Sequence, residues 1–279
     1  MRKLKAYIEL SRPKNAFMSI LGAATGWVNS TGTYDWKFPL TCLIPPLILM
    51  AGNAINDYFD APVDAINKPH RPIPSGKISR REALTFYVIL SLAGVTLSFL
   101  LGPLEFIIAA VFSSAWYAYA RWLKRTGVPG NIIVSLGVAF TLIFGSIAAG
   151  NLAMKVLVFS SVAFTSNLAR EFVKTIEDVT GDSINDIRTI AVRIGIRRTG
   201  VLTAMVLSCV MILASVPVFA GLVGLPYLLL SVALSLPLVG LAAIKCVQPT
   251  LAEEARGVSN LIKASMFLGI LGMLTDPML

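Results

Sequence analysis

The chain has 279 residues, a mean hydropathy of +0.75, a hydrophobic fraction of 56% and a charged fraction of only 14%. Soluble domains carry about 25% charged residues, so an ordinary soluble fold is excluded. Apolar runs of about 20 residues instead make this an all-α, polytopic membrane protein, for which the net charge of +9 is a topology signal and not a nucleic-acid signal.

Taken in order, the apolar runs predict nine membrane spans in one bundle, at 14–33, 38–56, 81–101, 104–121, 131–150, 153–174, 199–221, 225–245 and 259–276. We expect one domain covering residues 1–279 and no cleavable leader, because the first apolar run lacks a small-residue cleavage site. All of the 24 Lys and Arg residues except Lys37 and Lys155 fall at the N-terminus or on the even-numbered connections. The positive-inside rule therefore puts the N-terminus and those connections in the cytoplasm, and nine spans put the C-terminus outside. Gly22-Ala-Ala-Thr-Gly26 repeats small residues at the spacing of close helix packing. Pro45, Pro46, Pro217 and Pro237 are expected helix kinks. Cys42, Cys209 and Cys246 stand singly in apolar runs and read as packing residues.

The most informative stretch runs from Asn53 to Lys77. Asn56, Asp60 and Asp64 recur every four residues, which on a helix puts three oxygen-bearing side chains on one face, with Asn53 and Asp57 on its flanks. Carboxylates side by side repel, and hard oxygen donors without cysteine suit magnesium or calcium. The loop that follows adds Lys68, Arg71, Lys77 and three prolines. Acid, metal and base together can hold a diphosphate. The bland alternative, a solvated acidic helix end, is disfavoured because stray charge is costly beside membrane-grade sequence.

A second cluster closes the sixth span. Lys174, Asp178, Asp182 and Asp186 step by four, with Glu171 one turn further back. Both clusters end an even-numbered span, four spans apart. That spacing predicts an internal helical repeat with two acidic rungs facing each other across a cavity.

The first stretch resembles the Asn-Asp-x-x-Asp-x-x-x-Asp motif of the UbiA superfamily of intramembrane prenyltransferases, with its Asn-Lys-Pro-x-Arg-Pro-Ile-Pro-Ser-Gly continuation at Asn67–Gly76. The second resembles that family's Glu-Asp-x-x-Gly-Asp motif at Glu177–Asp182. Arg12-Pro-Lys-Asn15, Leu123-Lys124-Arg125 and Gly130-Asn131 are similar too, so the resemblance covers essentially the whole chain. It departs where Asp186 replaces a glycine and Ala191 a proline; Asp186 is expected to be a surface charge.

The resemblance implies transfer of an isoprenoid from an allylic diphosphate, assisted by Mg2+. It assigns Asn56, Asp60 and Asp64 to a first metal site with Asp57 behind them, and Asp178 and Asp182 to a second. Arg71, Lys77, Lys124 and Lys174 become candidate diphosphate contacts, although a charge beside lipid headgroups accounts for each singly just as well. Asn15 and Asn131 would orient substrate or a metal-bound water, and His70 reads as a surface residue. Tyr58, Trp116, Tyr117 and Tyr119 could wall an allylic cation, with none singled out. The motif wording is most similar to archaeal members that make ether lipids. That likeness implies geranylgeranyl diphosphate as donor, and geranylgeranylglyceryl phosphate, a membrane lipid, as acceptor. Arg12, Lys14, Arg71, Lys124, Arg125 and Lys263 are candidates for the acceptor phosphate. The competing readings are an aromatic or chlorophyll-type acceptor within the family and, in another class, a transporter with intramembrane acidic sites.

Overall fold

The computed structural model describes residues 2–278 apart from Gly32, Asn185 and Asp186, and does not describe the side chains of Arg2, Asn67, Arg125 and Met278. The surface reading of Asp186 therefore lies outside the described residues, as does any contact of the Arg125 side chain.

The described residues fold into helices: α1 Arg2–Ser11, α2 Pro13–Val28, α3 Lys37–Asn67, α4 Arg80–Phe99, α5 Pro103–Arg121, α6 Val128–Ala148, α7 Met154–Glu177, α8 Val179–Ile184, α9 Ile190–Ile194, α10 Ile196–Phe219, α11 Leu225–Cys246 and α12 Leu251–Thr275. Their ends follow local chemistry. Proline occupies the first turn of α2, α5, α6 and α11, where its missing N–H costs nothing. A capping box between Ser79 and Glu82 starts α4.

Among the described residues, seven helices are long and apolar enough to cross a membrane: α3, α4, α6, α7, α10, α11 and α12. The chain is thus a multi-pass membrane protein. The other two expected spans correspond to α2 and α5, which fall outside that set. The first has only 16 residues. The second carries Glu105 and a polar-aromatic half from Ser113 to Tyr119, which lowers its hydropathy. Outward faces are apolar, with Ile89, Leu92, Phe99, Ile212 and Phe219 all exposed.

Helix α3 runs unbroken through Pro45, Pro46 and Pro62, eleven residues beyond the expected end of its span at 56. The acidic stretch is the continuation of that helix, so its period of four becomes one face. The second cluster differs. Asp178 leaves helical geometry (φ −95°, ψ 1°) and separates α7 from α8.

Packing follows the same order in both halves: α2 on α3, α3 on α4 and α4 on α5, then α6 on α7, α7 on α10 and α10 on α11. Helices α2 and α6 join the halves, and α12 packs on both α2 and α7. The α2–α6 contact is backbone to backbone, as the small-residue motif predicts. A Cβ on Gly26 would stand 1.9 Å from the Leu142 carbonyl oxygen, and one on Gly145 2.0 Å from that of Ala23. Of the cysteines, Cys246 is buried in the packing, whereas Cys209 is exposed; all three are free thiols.

The two lysines that break the charge bias are accommodated locally. Lys155 pairs with buried Asp276 at 2.5 Å, and Asp276 also accepts from the Gly224 N–H at 2.7 Å. Lys37 reaches the Leu101 carbonyl at 3.5 Å.

Candidate active site

A cavity of about 1130 Å³ runs between the two halves, and both acidic clusters line one end of it. On α3, Asn56, Asp60 and Asp64 face the cavity, while Asp57 does not line it. The carboxylates of Asp57, Asp60 and Asp64 nevertheless offer oxygens within 4.8 Å of one another, a spacing that can hold a metal ion.

Cations already stand against these oxygens. Lys124, on the turn Leu123–Thr126 between α5 and α6, forms an ion pair with Asp60. Arg71 lies 2.5 Å from Asp64 and 3.5 Å from Asp57. Arg12 donates to Asp57 at 2.5 Å and to Asn53 at 3.2 Å. Arg12 occupies the elbow between α1 and α2 with φ +52°, the one left-handed non-glycine among the described residues. Side-chain contacts from α3 hold this strained backbone in place, because Asn53 also donates to the Ser11 carbonyl at 3.1 Å.

Asn56 bears on whether a metal fits. Its Nδ2 donates to Asp60 at 2.9 Å, which fixes the amide, and its buried Oδ1 has no partner among the described residues. A buried carbonyl oxygen beside two carboxylates is a donor set for a hard divalent cation. The residues fit the group.

Asp178, at the joint between α7 and α8, and Asp182 on α8 line the same end, with Glu171 and Lys174 beside them. Burial first, and the Asp178 carboxylate second, raise the pKa of Asp182. A carboxylate pushed toward its neutral form by burial and a like neighbour is the electrostatic setting a bound cation relieves. Glu171 is buried and accepts from Arg170 at 3.0 Å and pairs with Lys174 at 3.5 Å.

The expected contacts Asn15, Arg71, Lys124, Asn131 and Lys174 all line the cavity, and Asn131 Nδ2 is buried without a partner among the described residues. Lys77 does not. It is exposed in the loop after α3 and donates to the His70 carbonyl at 3.4 Å. The turns that bring Arg71 inward carry Lys77 outward, and His70 lies exposed beside it.

Arg170 was not anticipated as a site residue, although it stands one turn before Lys174 on the helix that ends at Asp178. Nor was Trp116 distinguished from the other aromatics. Its indole fills a slot between Gly52 on α3 and Gly137 on α6, where an added Cβ would lie 2.8 Å and 2.9 Å from the ring. One turn along α5, Phe112 meets Phe140 of α6 with ring centroids 4.7 Å apart. These rings and Phe144 line the apolar depth of the cavity, whereas Tyr58 carries Arg80 over its ring at 4.5 Å and does not line it.

Comparison with known proteins agrees with this architecture. A family model described as the UbiA prenyltransferase family matches residues 16–270. The digeranylgeranylglyceryl phosphate synthase of Korarchaeum cryptofilum is 65% identical over 277 residues, 99% of each chain. That of Saccharolobus solfataricus is 35% identical, covering 97% of this chain and 96% of its own. A solved structure described as giving structural and mechanistic insight into digeranylgeranylglyceryl phosphate synthase in membranes superposes with a TM-score of 0.82 at 31% identity, covering 99% of both chains. A UbiA homolog from Archaeoglobus fulgidus bound to GPP and Mg2+ shares the fold, with a TM-score of 0.70 at 18% identity over 95% of this chain and 99% of that one.

Proposed function

The chain belongs to the UbiA prenyltransferase family, and from that premise we propose that it transfers a geranylgeranyl group from geranylgeranyl diphosphate to the hydroxyl of geranylgeranylglyceryl phosphate. The observation that carries this reading is the cavity itself. One end joins two acidic clusters to a ring of cations, and the other is an apolar channel walled by Trp116, Phe112, Phe140 and Phe144. An allylic diphosphate has that same division into a charged head and an apolar tail.

In this reading the C1–O bond of the donor breaks with its electron pair leaving on the diphosphate. The acceptor hydroxyl oxygen then forms the new ether bond to C1. Its proton leaves late, to the released diphosphate or a site carboxylate, because so strong an electrophile needs no prior deprotonation. Asn56, Asp60, Asp64, Asp178 and Asp182 would hold magnesium, which would supply positive charge to the departing oxygens. Lys124 and Arg71 lie against Asp60 and Asp64 at the same end of the cavity, where their charges would also neutralise the diphosphate. Trp116 and the phenylalanines offer the cation π-faces and no nucleophile.

Purified protein given donor, acceptor and Mg2+ is expected to form the diether and release inorganic diphosphate, and EDTA is expected to abolish both. Diphosphate release that persists in EDTA, or none in magnesium, would overturn the reading.

The proposal includes an orientation. The N-terminus and the site face the cytoplasm, and nine crossings place the C-terminus outside. The paired state of Lys155 supports it, since a neutralised lysine is no obstacle on the outer side. A reporter active only in the cytoplasm, fused after Leu279, should be silent; an active fusion would refute the nine-crossing arrangement.

A further inference from the structure

The cations on the cavity wall fall into two groups. Arg12, Arg71, Lys124, Arg170 and Lys174 each have a carboxylate within ion-pair distance. Among the described cavity residues, Lys14, Lys68 and Lys263 have none. Lys68 caps α3 beside Asp64, its N–H bonded to the Asp64 carbonyl at 2.8 Å, which places it with the first acidic cluster. Lys14 and Lys263 are elsewhere, on α2 and α12, two helices that pack together.

Their neighbours are of a particular kind. Lys14 and Met18 line the cavity and also an outer groove whose other walls are Pro13, Phe17 and Phe267. Phe17 and Phe267 are exposed on the outer surface. Met18 follows Lys14 by four residues and Phe267 follows Lys263 by four, so each helix presents a cation with an apolar side chain one turn further along. The lysines stand at the reacting end. Lys14 is two residues from Arg12, and the charges acting on Lys263 are Arg170, Lys174 and Arg256 against the one carboxylate Glu177. Among the described residues, the Lys263 ammonium donates only to the Asn260 amide oxygen, at 3.3 Å.

Uncompensated ammonium groups above an apolar groove match an amphiphile with an anionic head. We propose that Lys14 and Lys263 seat the phosphate of the acceptor lipid, with its chain lying over Met18 and Phe267. This rests on the acceptor assigned above. It selects two of the six acceptor-phosphate candidates: Arg12, Arg71 and Lys124 stand with the first cluster, where Arg71 and Lys124 are assigned to the diphosphate, and the Arg125 side chain lies outside the described residues.

The test uses the full-length protein in neutral detergent, so that no bulk anionic lipid competes. Two acceptors are compared, geranylgeranylglyceryl phosphate and its dephosphorylated alcohol, with wild type, Lys14→Gln, Lys263→Gln and the matching Arg variants. Each Gln variant should raise the KM for the phosphate acceptor about tenfold, the loss of one charge-assisted contact. The KM for geranylgeranyl diphosphate should stay put, the preference for phosphate over alcohol should collapse, and Arg should restore it. An unchanged acceptor KM in both Gln variants, or donor and acceptor constants rising in parallel, would overturn the seat while leaving the function standing. Wild-type protein that ionises the donor but ignores the phosphate acceptor would overturn the acceptor assignment, and the seat with it.

Discussion

Asp60→Ala and Asp178→Ala are each expected to lower turnover at least about a hundredfold in protein that still folds, the scale of losing a preorganised charge contact. The structure explains why folding should survive. Asp60 is half-buried and faces the cavity, and its partner Lys124 has a side chain 36% exposed, so water can solvate the abandoned ammonium. Asp178 is exposed at the non-helical joint between α7 and α8 and makes no ion pair among the described residues. Neither truncation opens a hole in the apolar packing. What each removes is negative charge on one side of the cavity, on opposite halves of the bundle. Diphosphate release and the thermal midpoint should be measured on the same preparations. Normal turnover by either well-folded variant would remove the model of two acidic clusters sharing one diphosphate.

The first cluster was legible because its helix behaves as its period implies. Helix α3 continues to Asn67, so residues four apart remain on one face. The second was legible only in part: Asp178 breaks the helix, and the step of four then spans two elements. Partners distant in the chain were not legible. Arg12 finds Asp57 across 45 positions, and only the left-handed elbow at Arg12 directs it there. Lys77 and Arg71 look equivalent as basic residues of one loop. The backbone turns from Lys68 to Ile78 divide them, one inward and one outward. Trp116 is selected by glycines on two other helices, a match between slots that no local pattern encodes.

The second large effect concerns Asp57, whose position sets it apart from its neighbours. Its side chain is 8% exposed and meets two guanidinium groups, Arg12 and Arg71, yet it does not line the cavity. Asp57→Ala would leave both cations near the membrane with fewer partners. Breaking a buried pair on one side costs about 3–5 kcal/mol. Here the side chains of Arg12 and Arg71 are 33% and 24% exposed, so partial hydration reduces the expected loss to about 2–3 kcal/mol. Asp57→Asn keeps the volume and one acceptor oxygen and should lose less. The thermal midpoint in detergent measures both. Magnesium dependence then separates two roles for this residue. If Asp57 acts by holding Arg12 and Arg71, the Asn variant should need no more Mg2+ for half-maximal turnover, while its KM for the allylic diphosphate rises as Arg71 loses one of its two carboxylates. A large increase in the Mg2+ requirement at unchanged donor KM would instead place Asp57 among the metal ligands, in front of the helix face and not behind it.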